Sequence, residues 1–261
     1  MDQIVLAILA FVAGTFAGSF LNVVIHRGPT LWRLVDDPAG ARGDFLGPRS
    51  YCPHCRAPIP YWRLAPIISY LALRGRCADC GAKIPPRYPL VELAAAIHAV
   101  LALLLFGATP AAIFVAAFGW ILLALAVIDW ETGYLPDWLT GALVVGGLTA
   151  NAFTTFIPIT DALIGAVAGA VVFWAIGVLW LRFRQVEALG LGDAKLLGAL
   201  GAWMGWEALP LIVLAGSLAS LAGVALSNLT GSKIGAQDAV PFGPGLAFGG
   251  YLVFMASPFT Q

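Results

Sequence analysis

Charge is what this chain has least of. Only 11% of its residues are Asp, Glu, Lys or Arg, against 60% hydrophobic, and its mean hydropathy is +0.89. A soluble domain of 261 residues cannot hide that much apolar surface, so a water-soluble globular enzyme is excluded and lipid is the main solvent. Cysteine is nearly absent too, with four residues confined to one polar stretch, and histidine occurs three times. No Gly-rich cofactor loop follows a strand-like segment, so the residues locate no nucleotide-type cofactor site. There is no internal repeat and no low-complexity tract. The first apolar run follows Asp2 rather than a basic region and has no A-x-A-like site after it, so it is expected not to be a cleavable signal peptide.

What is present is a series of charge-free apolar runs: Ile4–Ile25, Leu93–Phe106, Ala111–Ile128, Trp138–Ile157, Ala162–Leu181, Leu196–Trp206, Ala208–Ser227 and Val240–Phe259. About 20 apolar residues span a bilayer, so the series predicts an all-α polytopic membrane protein of about eight transmembrane helices. The run at 93 needs Pro89–Glu92 to lengthen it. The run at 196 is short enough to be tilted or re-entrant, which would leave seven spans. The chain divides into an anchoring helix (1–26), a long polar module (27–88) and a helical bundle (89–261). Gly and Ala recur through the bundle, as close helix packing in lipid requires.

The scarce charge is unevenly placed. Ten of the 14 basic residues lie between Arg27 and Arg87: Arg27, Arg33, Arg42, Arg49, Arg56, Arg63, Arg74, Arg76, Lys83 and Arg87. Arg182, Arg184, Lys195 and Lys233 fall in later connections. With the amino terminus outside, eight alternating crossings put all of them on the cytoplasmic side, as the positive-inside rule demands. Asp36, Asp37, Asp44 and Asp79 are interspersed in the basic stretch, which argues against nucleic acid as its partner.

The cysteines are spaced as two knuckles, Cys52-Pro-His-Cys55 and Cys77-Ala-Asp-Cys80, separated by 21 residues. This is the four-thiolate zinc-ribbon pattern, and it predicts a structural zinc held by Cys52, Cys55, Cys77 and Cys80. Two disulfides are the alternative, disfavoured in a reducing cytoplasm. Four sulfurs complete a tetrahedron, so His54 is not expected to ligate and the site has no open catalytic position. Arg56, Arg74, Arg76 and Lys83 lie close by in sequence to offset the thiolate charge, and Gly81 stands where a positive φ is often needed.

Asp129 and Asp193 sit at the edges of strongly apolar runs, on the same side of the membrane in the topology above. A charge at mid-bilayer costs at least ~2.5–3.5 kcal/mol, less toward the interface, and usually marks function. Two carboxylates held close share a proton, so one can act as base on a water and the other as acid. Three readings stay open on the residues alone: an aspartic peptidase pair, a proton or cation path, or structure, with Asp193 an N-cap and Asp129 a solvated helix end. Gly190 and Gly192 before Asp193 would let an extended substrate strand lie beside it. Asp137 is expected to cap the fourth segment. Glu92 either pairs with a loop arginine or faces the site. His98, Ser19 and Asn22 are expected to bond between helices.

These pieces together resemble the bacterial prepilin peptidases along nearly the whole chain. The matches occur in order: Gly18-Ser19-Phe20-Leu21-Asn22-Val23-Val24-Ile25-His26-Arg27; the two knuckles; Tyr88-Pro89-Leu90-Val91-Glu92; Asp129 with Leu135-Pro136-Asp137; Gly190-Leu191-Gly192-Asp193-Ala194-Lys195; and Pro241-Phe242-Gly243-Pro244. His26, where a Tyr is common, and Gly28, where a Leu is common, depart from the pattern. The resemblance implies a bifunctional enzyme of the bacterial inner membrane. It would cleave the basic leader of prepilins and pseudopilins at the cytoplasmic face, then methylate the new amino terminus with S-adenosylmethionine. It maps the catalytic aspartates onto Asp129 and Asp193 and the zinc ligands onto the four cysteines. The G-x-G-D motif is also similar to that of presenilin-type intramembrane proteases.

Overall fold

The computed structural model describes residues 2–36, 44–45, 47, 49–154, 156–185, 190–229 and 241–257. Asp37, Arg42 and Lys233 of the basic-loop reading, and residues 240 and 258–259 of the last apolar run, lie outside them. Among the described residues the long elements are all helical: α1 (Gln3–Leu31), α2 (Ile68–Ala72), α3 (Arg87–Phe106), α4 (Pro110–Thr132), α5 (Asp137–Thr154), α6 (Ile159–Arg184), α7 (Leu191–Met204), α8 (Leu209–Leu229) and α9 (Gly243–Met255). No strand occurs among them, only two isolated bridges, Tyr51 with Pro58 and Arg76 with Lys83.

Proline and glycine punctuate these helices. Pro86, Pro110, Pro136 and Pro158 stand at or just before a first turn, where a missing N–H costs nothing because that amide has no intrahelical partner. Gly107, Gly133 and Gly205 follow α3, α4 and α7 at φ +66, +69 and +79, a left-handed conformation that side-chain-bearing residues resist. Between these signals the chain is apolar with good helix formers, so each segment closes its own backbone hydrogen bonds, as lipid demands.

Every one of the eight apolar runs coincides with a helix. Five of them, α1, α3, α4, α6 and α8, are long and apolar enough to cross a membrane. α5, α7 and α9 are shorter: the 14 residues of α7 reach about 21 Å at ~1.5 Å per residue, against a hydrocarbon core of ~30 Å. The expectation of eight spans therefore stands as eight helices, five with the dimensions of a span. α3 does begin at Arg87, so the run at 93 is lengthened as expected.

The chain forms two compact units, residues 1–112 and 113–261. In the first, α1 packs along α3 through Gly14 and Gly18. A Cβ at Gly14 would lie 2.6 Å from the Ala96 Cα, and one at Gly18 would lie 2.6 Å from the Glu92 Cα, so only glycine permits this approach. Asn22 bonds between the helices as expected, its Nδ2 donating to the Tyr88 carbonyl at 3.0 Å. Beyond that contact α1 runs on, and the buried Arg27 donates to the carbonyls of Asp44 (2.6 Å) and Gly47 (3.0 Å).

The second unit is built around α7, whose residues Leu196 to Met204 are all buried. It reads as apolar because it is a bundle core, and a core helix needs no span length. α6 crosses it through Gly165, Gly169, Gly198 and Gly201, while α5 and α9 pack on its other sides. Trp203 lies among Phe118 of α4 and Phe254 of α9, with ring centroids 4.6 and 6.0 Å away. Its indole N–H donates to the Leu143 carbonyl at 2.8 Å. Asn151 donates to the Ala202 carbonyl (2.9 Å) and accepts from the Ile157 amide (3.1 Å), so the apolar core carries satisfied polar groups.

Candidate active site and cysteine centre

Asp129 lies in the last turn of α4, one turn before Gly133, and is only 5% exposed. The amide of Gly243, the first residue of α9, donates to its carboxylate. That amide is one of the donors a helix start leaves unpaired, so the partly positive end of α9 faces this acid. The approach is tight: a Cβ at Gly243 would lie 2.5 Å from Asp129 Oδ2.

Asp193 is the third residue of α7 and half-buried. Its carboxylate turns back to accept the amide of Gly190, the cap residue, as the acid of a capping box does. It also lies within electrostatic reach of Asp129. Leu135 lies against Gly192, the neighbour of Asp193, and against Gly243, the donor to Asp129. A Cβ on Gly192 would meet the Leu135 Cβ at 3.0 Å, and one on Gly243 would meet its Cδ1 at 3.2 Å. Two carboxylates from different helices thus come within electrostatic reach of each other, each with a backbone donor.

This arrangement corrects several expectations. Asp193 is not an N-cap, because Gly190 holds that position. Asp129 is not a solvated helix end, because it is buried. Asp137 is the first residue of α5 rather than its cap, and its Oδ1 is 2.5 Å from Lys195 Nζ on α7. Glu92 accepts the Ile67 amide at 2.7 Å and the Ser19 hydroxyl. His98 is buried in α3. Leu135 and Gly243 belong to motifs read in the sequence, yet sequence reasoning gave them no role. A glycine set between Pro241-Phe242 and Pro244 at a helix start was the available signal.

In the first unit, the sulfurs of Cys52, Cys55, Cys77 and Cys80 all lie within 4.8 Å of one another, and all four are free thiols. Cys52 Sγ and Cys80 Sγ are 3.8 Å apart, matching the ~3.8 Å edge of a tetrahedron with metal–sulfur bonds of ~2.3 Å. The knuckles are built alike. Cys52 and Cys77 donate to the carbonyls of Ala57 (3.0 Å) and Ala82 (2.8 Å), and accept from the amides of Arg56 (2.8 Å) and Gly81 (2.9 Å). Arg56 and Gly81 both take positive φ, at 58° and 73°. Glycine does so freely and arginine against strain.

Without a metal the thiols differ. The Cys55 amide, ahead of the smaller effects, draws Cys52 down to about 6. At Cys80 the Ala82 amide acts downward, but desolvation and the other three thiols outweigh it and push the group up to about 12. A cation removes that conflict by holding all four as thiolates. His54 is exposed.

The fold and the site define a helical membrane protein that carries two neighbouring acids and a four-cysteine module. The family model described as Bacterial Peptidase A24 N-terminal domain matches residues 12–106, and that of the Type IV leader peptidase family matches residues 116–225. The chain is similar to a protein named prepilin leader peptidase/N-methyltransferase from Burkholderia pseudomallei, at 44% identity over 96% of this chain and 85% of the relative. Proteins of the same name from Stutzerimonas stutzeri and Pseudomonas aeruginosa are each 40% identical, over 97% and 93% of this chain and 92% and 87% of theirs. No solved structure matches. The chain belongs to the prepilin leader peptidase/N-methyltransferase family, and it is an enzyme.

Proposed function

We propose that this enzyme cleaves the leader of type IV prepilins and pseudopilins with Asp129 and Asp193 as its catalytic pair, then methylates the exposed amino terminus from S-adenosylmethionine. The observation that carries the peptidase half is the pairing of a buried Asp129 with Asp193 across two helix ends. One carboxylate takes a proton from water as the oxygen attacks the scissile carbonyl. The other protonates the amine that leaves, so one water is consumed for each peptide bond broken. The amides of Gly243 and Gly190 hold the two carboxylates in place during the exchange.

The methyl-transfer half is supported by the names of the relatives. In this reading zinc occupies the four-sulfur cage and braces residues 27–88 between an anchoring segment (1–26) and the peptidase bundle (89–261). The four free thiols at tetrahedral spacing fit that ion. A closed cage leaves no position for substrate, so zinc supplies structure rather than chemistry. The clustering of basic residues supports a topology with the module and both acids on the cytoplasmic side of the inner membrane and the amino terminus outside. The test is incubation of the purified protein with a prepilin. The expected product is shortened by the leader and, when S-adenosylmethionine is added, heavier by one methyl group. An uncut prepilin would overturn the peptidase reading.

A further inference from the structure

The cysteine module carries four large apolar side chains on its outside: Tyr61, Trp62, Ile68 and Leu71 are each at least 68% exposed. They belong to one local structure, because Ser69 Oγ donates to the Trp62 carbonyl at 3.4 Å and holds the Tyr61–Leu64 turn beside α2. Tyr70 faces the other way, onto Gly75, where a Cβ would lie 2.9 Å from its ring. α2 therefore presents Ile68 and Leu71, three residues apart, outward and Tyr70 inward. Apolar side chains of this size are favourably removed from water, so leaving all four in it would be costly.

α1 and α3 show how deep this patch lies. Gly18 and Glu92 are level, since a Cβ on one would lie 2.6 Å from the Cα of the other. From that level the Glu92 carboxylate reaches the amide of Ile67, the residue immediately before α2, at 2.7 Å. The spans still expose apolar side chains around it: Phe20 on α1, with Leu90 and Leu93 on α3. The start of α2 thus lies beside the lipid-facing band of the spans, not beyond it in water.

We infer that Tyr61–Ala72 is an interfacial membrane element, with Trp62, Ile68 and Leu71 embedded in the leaflet beside Gly18 of α1 and the first turns of α3. Five helical residues are too few to span, so α2 lies in the interface rather than crossing it. The neighbouring cations suit that place. The Arg49 guanidinium stacks on the Tyr61 ring, 4.1 Å from its centroid, and Arg63 and Arg74 flank the patch where anionic headgroups would meet them. Arg63 also reaches Asp79 of the second knuckle at 3.5 Å, tying the element to the cysteine cage. The cage is then held at the bilayer surface by lipid contact as well as by its two flanking helices.

The test places a photoreactive diazirine side chain at position 68, 71 or 83 of the full-length protein, in vesicles of phosphatidylethanolamine and phosphatidylglycerol. Lys83 is exposed on the second knuckle and serves as the control. After irradiation, adducts carrying the mass of one phospholipid are expected at 68 and 71 and absent at 83. Adducts at 68 and 71 that are protein alone, whether an added prepilin, a second copy or this chain itself, would overturn the inference. So would equal lipid labelling at all three positions. An Ile68→Asp/Leu71→Asp variant that keeps its metal is expected to be cut by trypsin at Arg63 and Arg74 faster than the parent. An unchanged rate would also count against lipid cover.

Discussion

At the scale of single residues, the two acids are held by glycine as much as by each other. Asp129→Asn and Asp193→Asn keep side-chain volume and remove only the acid. Each is expected to lower prepilin cleavage by ~100-fold or more while protein level and metal content stay unchanged. Substantial cleavage by either variant would sink the pair. Gly243 makes a sharper test, because a single methyl group there must displace the Asp129 carboxylate. Gly243→Ala is therefore expected to abolish cleavage, whereas Gly141→Ala, with nothing within 4 Å, should leave it intact. Gly192→Val is expected to impair cleavage as well, and the structure supplies a physical cause in Leu135, which stands where the new side chain would go.

At the scale of elements, α7 decides whether the second unit holds together. Trp203 is 1% exposed, bonded to Leu143 and packed on two phenylalanines. Trp203→Ala is expected to cost ~3–5 kcal/mol, read as a lower unfolding temperature in detergent, while Trp138→Phe at a 74% exposed position should change little. In the first unit, Glu92 ties α1, α3 and the start of α2 together. Ile67 takes φ 60°, which a β-branched residue adopts only under constraint, and the bond to Glu92 is part of that constraint. Glu92→Ala leaves the amide unpaired, a loss of ~1–3 kcal/mol. Limited proteolysis should then cut between residues 61 and 76 sooner, with Glu92→Gln, which keeps an acceptor, lying between the two. Identical digestion of all three proteins would remove Glu92 from this role. The exposed pair of Asp137 and Lys195 adds at most ~1 kcal/mol, so its role is alignment of α5 with α7 rather than stability.

At the scale of the whole molecule, the four-cysteine cage and the acid pair belong to different units, so their losses should be separable. One zinc per chain is expected. Cys52→Ser with Cys77→Ser should release it and expose residues 49–85 to protease, since a module this small has little core of its own. Elemental analysis finding no zinc in protein purified without chelator would end this prediction. Protons compete with the metal for thiolate, so falling pH should release zinc and rising pH should retain it.

Composition and charge placement alone were enough to make this a helical membrane protein, because a hydrophobic chain with few charges has lipid as its only adequate solvent. Local spacing sufficed for the knuckles as well, since a tetrahedral cage needs only two short turns and the positive φ at Gly81. Pro110 marks a helix start that the sequence shows, whereas Gly133 and Gly205 end helices through a positive φ that sets them apart from the many glycines inside the helices only once the structure is seen. Tertiary structure alone decided the rest. The burial of Asp129 depends on Gly243, more than a hundred residues away, and no local pattern encodes that contact. The short run at 196 looks like a poor span because its solvent is other helices, which a hydropathy pattern cannot distinguish from lipid. The partners of Glu92 and Asp137 were likewise undecidable from the chain, since a charged side chain near a helix start suits cap, ion pair or anchor equally until packing chooses among them.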